Sequence, residues 1–357
     1  MTCVFSPVPV GLPYMRYMDD NKKKYIARYD CAFQGAFKDC HFIAAISSLA
    51  WINDSAIRDQ GTGKNTYSFT FYDPVPNPAR YPAGTVITTP MPVTVNVTSK
   101  VLMDTGCVPP IWCSSQGCDE TWVAMYEKAF AKFCMFKISK TMVFDDLIKG
   151  DAEPKFSDLP KGSDWGGNPV TVMKYLTDKT SKKFVFAVAG NAITYRGVNY
   201  ASAYALIRTL CDLSPAIGKY PVNGFGIMNG AMVKVPMGAW TYSNETAALN
   251  ATGVKIVYNQ STIVADHCYS ILGVYEDAAG KYIVLRNPYG KADPGLGALG
   301  KGPWIFFKKQ YNIGTTCAAT NTTAVATSFP FTTADGIFAL DAASFNNYFE
   351  GFGFISM

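Results

Sequence analysis

A cysteine and a histidine more than two hundred residues apart carry the chemistry of this chain. Cys40 stands in Gln34-Gly35-Ala36-Phe37-Lys38-Asp39-Cys40-His41-Phe42. His267 stands in Asp266-His267-Cys268-Tyr269-Ser270, and Leu285-Arg286-Asn287-Pro288-Tyr289-Gly290 follows shortly after. A thiol attacks a carbonyl only as the thiolate, and a free cysteine is a few per cent ionised at neutral pH. An imidazole can take the proton and stay beside the sulfur as a cation. A carboxamide oxygen at Asn287 can accept from the ring N–H and hold the ring in one orientation. Gln34 and the backbone N–H of Cys40 can then donate to a developing oxyanion. Each residue alone has an ordinary role: a buried cysteine packs as a small hydrophobe, a histidine on an apolar strand is a core residue, and Asn-Pro is a turn. Together they describe acyl transfer through a thioester.

Two elements must position these groups. Ile43, Ile46, Leu49 and Ala50 recur at helical spacing, which predicts a helix from Cys40 to Trp51. Cys40 would then occupy the first turn, where unpaired N–H groups and the helix dipole favour an anion. Tyr269–Glu276 and Lys281–Arg286 read as two strands joined by the turn Asp277-Ala278-Ala279-Gly280. Folding that hairpin about its centre brings His267 and Asn287 to the same end. His41 follows Cys40 directly, and consecutive helical residues point about 100° apart, so it reads as a cleft-lining or packing residue rather than the base.

Elsewhere, Tyr67, Phe69, Phe71 and Val93, Val95, Val97 alternate with polar residues on either side of a proline-rich connection, which predicts a β-ribbon. A helix is expected from about Asp119 to Phe136, with Trp122, Met125, Tyr126, Ala129, Phe130 and Phe133 as its apolar stripe. Short helices are expected near 171–176 and 201–213. Further strands are expected at 183–188, 224–228, 255–258, 304–307 and 335–340. The stretch 237–262 reads as an exposed loop and Asp178 as a boundary, giving a helical part over 1–178 and a β-rich part over 179–357. The fold class is α+β.

The 357 residues carry a net charge of +5, and Lys22-Lys23-Lys24, the one basic run, reads as a solvated face; nucleic acid is not an expected partner. No apolar stretch approaches the roughly 20 residues of a membrane span. Met1 to Asp20 lacks a basic leader region and is broken by Pro7, Pro9 and Pro13, so no signal peptide is expected. Cys107, Cys113 and Cys118 crowd one loop at spacings that fit no common zinc pattern. The compartment reading favours the cytoplasm; sequons at Asn53, Asn96, Asn244, Asn250, Asn259 and Asn321, with ten cysteines, keep secretion as the alternative.

At its chemistry-bearing residues the chain resembles the calpain catalytic core, a branch of the papain-like cysteine proteases. Gln34 to Leu49 looks like the family's cysteine segment; His267 to Val274 and Leu285 to Gly290 look like its histidine and asparagine segments. Trp122-x-x-x-Tyr126-Glu127-Lys128-Ala129-Phe130-Ala131-Lys132 is similar to a family helix. Asp335-Gly336-x-Phe338, followed by Phe345, resembles its C-terminal strand and helix start. The resemblance implies two lobes, one with Gln34 and Cys40 and the other with His267 and Asn287, and a cleft between them that cuts extended peptides. His41, Tyr289, Gly166 and Gly167 are expected along that cleft. His41 stands where the family has Trp after the nucleophile, and Tyr289 replaces the Trp of Asn-Pro-Trp-Gly. Calpain cores respond to calcium, but Lys291-Ala292-Asp293-Pro294-Gly295 supplies no carboxylate cluster and no EF-hand loop occurs; no cofactor is expected to be required, with calcium kept as an alternative that no acidic cluster supports. The expected function is a cysteine endopeptidase acting on protein or peptide substrates. The alternatives are a calpain-shaped binding module without activity and a transglutaminase-like acyl transferase.

Overall fold

The computed structural model describes residues 3–7, 27, 31–35, 37–53, 57, 66–104, 121–139, 142–150, 167–186, 193–212, 230–258, 262–278, 280–290, 304–305 and 336–356. The helices are α1 (Cys40–Ile52), α2 (Trp122–Cys134), α3 (Phe144–Ile148), α4 (Pro169–Thr177), α5 (Ala203–Thr209), α6 (Glu245–Thr252) and α7 (Phe345–Tyr348). The strands are β1 (Cys3–Pro7), β2 (Thr66–Asp73), β3 (Met91–Thr98), β4 (Lys100–Asp104), β5 (Ser181–Val185), β6 (Ile193–Tyr195), β7 (Val198–Tyr200), β8 (Cys211–Asp212), β9 (Gly230–Thr241), β10 (Cys268–Asp277), β11 (Gly280–Arg286), β12 (Trp304–Ile305), β13 (Ile337–Asp341) and β14 (Phe349–Ile355). The chain is α+β. Among the described residues its centre is an eight-stranded antiparallel sheet in the order β12-β13-β11-β10-β9-β14-β5, with β8 paired to β9.

Helix α1 is buried on every side from Cys40 to Trp51, as a helix so largely apolar must be. Its polar groups fasten it to the sheet. Ser48 Oγ donates to the Met237 carbonyl at 2.8 Å, Trp51 Nε1 to the Leu272 carbonyl at 2.9 Å, and Ser270 Oγ to the Ala44 carbonyl at 2.8 Å. On its other side α1 meets α2 and the β2–β3 ribbon through aromatic rings. Phe42 stacks on Phe130 at 4.7 Å, and Phe69 and Phe71 stack on Tyr126 and Phe133 at 4.8 Å each. Each fully buried ring contributes roughly 1.5–3 kcal/mol. Two buried lysines of α2 bond the backbone beside it: Lys128 Nζ reaches the Thr98 and Lys100 carbonyls, and Lys132 Nζ those of Asn96 and Lys149.

The expected α1, ribbon, α2 and β10–β11 hairpin all form. Corrections concentrate around β9. Residues 237–241, expected in an exposed loop, are the buried end of the central strand, and 245–252 are helical. Pro236 and Gly238 hide this strand from pattern reading. Pro236 sits in a bulge, where β9 runs from Met232 to Met237 while β10 advances only from Gly273 to Ile271, so its missing N–H breaks no ladder bond. Gly238 is bare because Pro169 of α4 packs there: a Cβ would lie 2.6 Å from the proline ring. The expected strand at 255–258 is irregular, and the helix near 201–213 stops at Thr209 and turns into β8. Lys22–Lys24, Cys107, Cys113, Cys118, Asp119, Glu120, Gly166, residues 224–228 and 291–295 lie outside the described residues. No described helix is long and apolar enough to cross a membrane.

Candidate functional site

Cys40 is the first residue of α1, and His267 immediately precedes β10. The Ser270–Ala44 hydrogen bond clamps these elements about one helical turn beyond Cys40, so thiol and imidazole meet. The loop before His267 is held to the end of β9. Thr241 Oγ1 donates to the Val264 carbonyl at 2.8 Å and accepts from His267 N at 3.0 Å; Asp266 N donates to the Tyr242 carbonyl at 2.9 Å. Asp266 takes the left-handed conformation, φ 51°, a strained choice for a residue other than glycine that lets the chain turn into the strand.

His267 Nε2 lies 2.9 Å from Asn287 Oδ1. A carboxamide oxygen only accepts, so Nε2 carries the hydrogen and Nδ1 is the ring nitrogen left to take a proton from Cys40, which lines the same cavity and feels the His267 charge. Asn287 is itself fixed: its N donates to the Gly336 carbonyl, its Nδ2 to the Thr262 carbonyl at 3.4 Å, and its Oδ1 also accepts from Tyr289 N at 3.0 Å. The hairpin pairs Ser270 with Arg286 and Asp277 with Gly280. The same register carried outward sets His267 opposite Tyr289, whose ring stacks on the imidazole with centroids 4.4 Å apart at 29°.

The electrostatics favour a thiolate. The hydrogen donated by the Cys268 thiol, then the charge and hydrogen bond of His267 and a hydrogen bond from His41, hold Cys40 well below the ordinary thiol value, against the upward push of burial. Cys268 is driven the other way, by burial first and then by the hydrogen bond and charge of Cys40. The N-terminus of a 13-residue helix adds a further bias toward an anion at Cys40.

These groups border a cavity of about 400 Å³ lined by Gln34, Cys40, His41, Gly167, His267 and Tyr289, with Trp240, Asp266, Cys268 and Glu350 among the others. Asn287 is fully buried behind His267. Gln34 Nε2 donates to the Phe37 carbonyl at 2.6 Å, which uses one of its two hydrogens, and its Oε1 is buried without a partner. His41, 3% exposed, faces Phe130 edge-on at 6.4 Å and leaves Nε2 unpartnered.

Sequence reasoning passed over two residues. Arg286 is wholly buried, with Nη1 on Ser47 Oγ at 2.8 Å, Nη2 on the Ala32 carbonyl at 2.7 Å, and its guanidinium 5.4 Å from the Phe33 ring. It ties the strand before Asn287 to α1 and to the loop carrying Gln34. Gln34 N completes the tie by donating to the Pro288 carbonyl at 2.9 Å. Gly290, at φ +65°, lies against the Phe33 ring so closely that a Cβ would overlap it. Cys268 is the second; its position next to His267 was the available signal. Among the described residues no group of three or more His, Cys, Asp or Glu side chains could hold a metal ion. No protein-family model matches the chain, and no curated protein matches it.

Proposed function

We propose that this chain is a calpain-like cysteine endopeptidase of the papain-like, two-lobe class. Residues 1–178 supply Gln34 and Cys40, residues 179–357 supply His267 and Asn287, and the substrate lies between them. The observation that carries this reading is the constellation itself: Cys40 and His267 line one cavity, and Asn287 engages His267 Nε2 at 2.9 Å. The Cys40 thiolate attacks the scissile carbonyl carbon. The oxyanion takes hydrogen bonds from the Cys40 N–H and the remaining Gln34 N–H. The C–N bond breaks as the His267 imidazolium gives its proton to the leaving amine. Water, deprotonated by His267, then hydrolyses the thioester and restores the thiolate. Tyr289 over the ring and Asn287 behind it keep the imidazole in plane throughout.

The test is incubation with an unfolded polypeptide, with and without a primary amine, followed by mass spectrometry. The reading expects new N-termini that vanish in Cys40→Ala. Amine incorporation without net cleavage would indicate a transglutaminase-like acyl transferase. Binding without turnover would indicate an inactive binding module.

A further inference from the structure

Cys268 has no step in that mechanism, yet it lies against the nucleophile. Both cysteines line the same cavity, both are buried, and both are free thiols. The two thiols lie near enough for each to shift the other's ionisation, Cys40 downward and Cys268 upward. Cys40 opens α1 and Cys268 opens β10, and the Ser270–Ala44 hydrogen bond holds the two starts side by side. The other described free cysteines, Cys134 at the end of α2 and Cys211 on β8, do not line this cavity.

We propose that Cys40 and Cys268 are a built-in modification site: a hydroperoxide entering the cavity converts them into a reversible cystine that blocks the nucleophile. The consequence for activity rests on reading Cys40 as that nucleophile; the cystine itself does not. The Cys40 thiolate attacks the peroxide oxygen. The O–O bond breaks, hydroxide or alkoxide leaves, and Cys40 becomes the sulfenic acid, two electrons oxidised. The Cys268 sulfur then attacks the Cys40 sulfur. The S–S bond forms, the S–O bond breaks, and the Cys268 proton leaves with the hydroxyl as water. A dithiol reductant returns both thiols by exchange. The order of events follows from the charges. Cys40 is the ionised partner and oxidises first. Once it carries oxygen, the thiolate charge that raises Cys268 is gone, and the second sulfur becomes easier to deprotonate.

The experiment treats the reduced full-length protein with hydrogen peroxide, caps free thiols with iodoacetamide and maps peptides without reduction. The expected product is a Cys40–Cys268 linked peptide that dithiothreitol abolishes. In Cys268→Ala the same dose should take Cys40 to the sulfinic acid, which dithiothreitol does not reverse. Sulfinic Cys40 with Cys268 still capped in the unmutated protein would overturn the proposal, as would a cystine from Cys40 to any other cysteine. Mapping needs no turnover, so the unmutated protein decides even if the variant fails to fold. A cystine in a protein that cuts nothing sinks the protease reading alone. Cys40-dependent cutting without the cystine sinks this one alone.

Discussion

Asn287 shows how a single side chain can separate orientation from basicity. Its Oδ1 accepts from the His267 ring and from Tyr289 N, while its Nδ2 rests on Thr262. Asn287→Ala should therefore lower kcat by roughly 10²- to 10⁴-fold with little change in KM, because the base is misoriented rather than removed. Steady-state kinetics on a fluorogenic peptide would show it; a rise in KM at constant kcat would contradict this role. Gln34→Ala should cost about 10²- to 10³-fold in kcat, the usual effect of one oxyanion donor. At this scale the grouping of Cys40, His267 and Asn287 was legible because each chemical role admits few residue types. Arg286 was not. A buried guanidinium between Ser47, Ala32 and Phe33 depends on three partners distant in the chain, and no local pattern announces that.

Among the elements, α1 and the β10–β11 hairpin were readable because their periodicities and turn residues agree with the fold. Strand β9 was not, since its proline is tolerated only by a bulge and its glycine only by the helix packed against it. Both are facts about partners. The same dependence makes Arg286 a structural test. Arg286→Met keeps the apolar stem but leaves the Ala32 carbonyl and Ser47 hydroxyl without their donors, at a cost of about 1–3 kcal/mol for each group left unsatisfied. Urea unfolding should show a lower midpoint at unchanged slope. Turnover should fall as well, because Arg286 links the strand before Asn287 to the Gln34 loop. An unchanged midpoint would show that the tie carries no stability.

Across the whole molecule, the division at Asp178 follows the change from helical to strand-like pattern, and the packing crosses it. Helix α1 reaches Met237 and Leu272, Ser270 reaches Ala44, and α4 packs on β9, β14 and β5. Residues 1–178 expressed alone should therefore show no cooperative thermal transition, since α1 would lose the sheet that covers one side of it. A sharp transition by near-ultraviolet circular dichroism would show instead that the N-terminal part folds independently. The change of pattern could suggest the boundary; the contacts that cross it come from side chains more than 180 residues apart.

The central claim is that Cys40 is ionised by its surroundings, and its alkylation rate reads that directly. Reduced protein would be pulsed with iodoacetamide from pH 6 to pH 8 and the ten cysteines quantified by peptide mass spectrometry. An ordinary thiol, with a pKa of about 8.5, loses reactivity roughly a hundredfold across that range as pH falls. Cys40 should lose far less of its rate than an ordinary thiol toward pH 6 and be the fastest cysteine there, because its surroundings lower its proton affinity; His267→Ala should reduce that advantage, since the ring's charge is one of its causes after Cys268. A Cys40 rate that falls with pH like an ordinary thiol, or that ignores the loss of His267, would contradict the account.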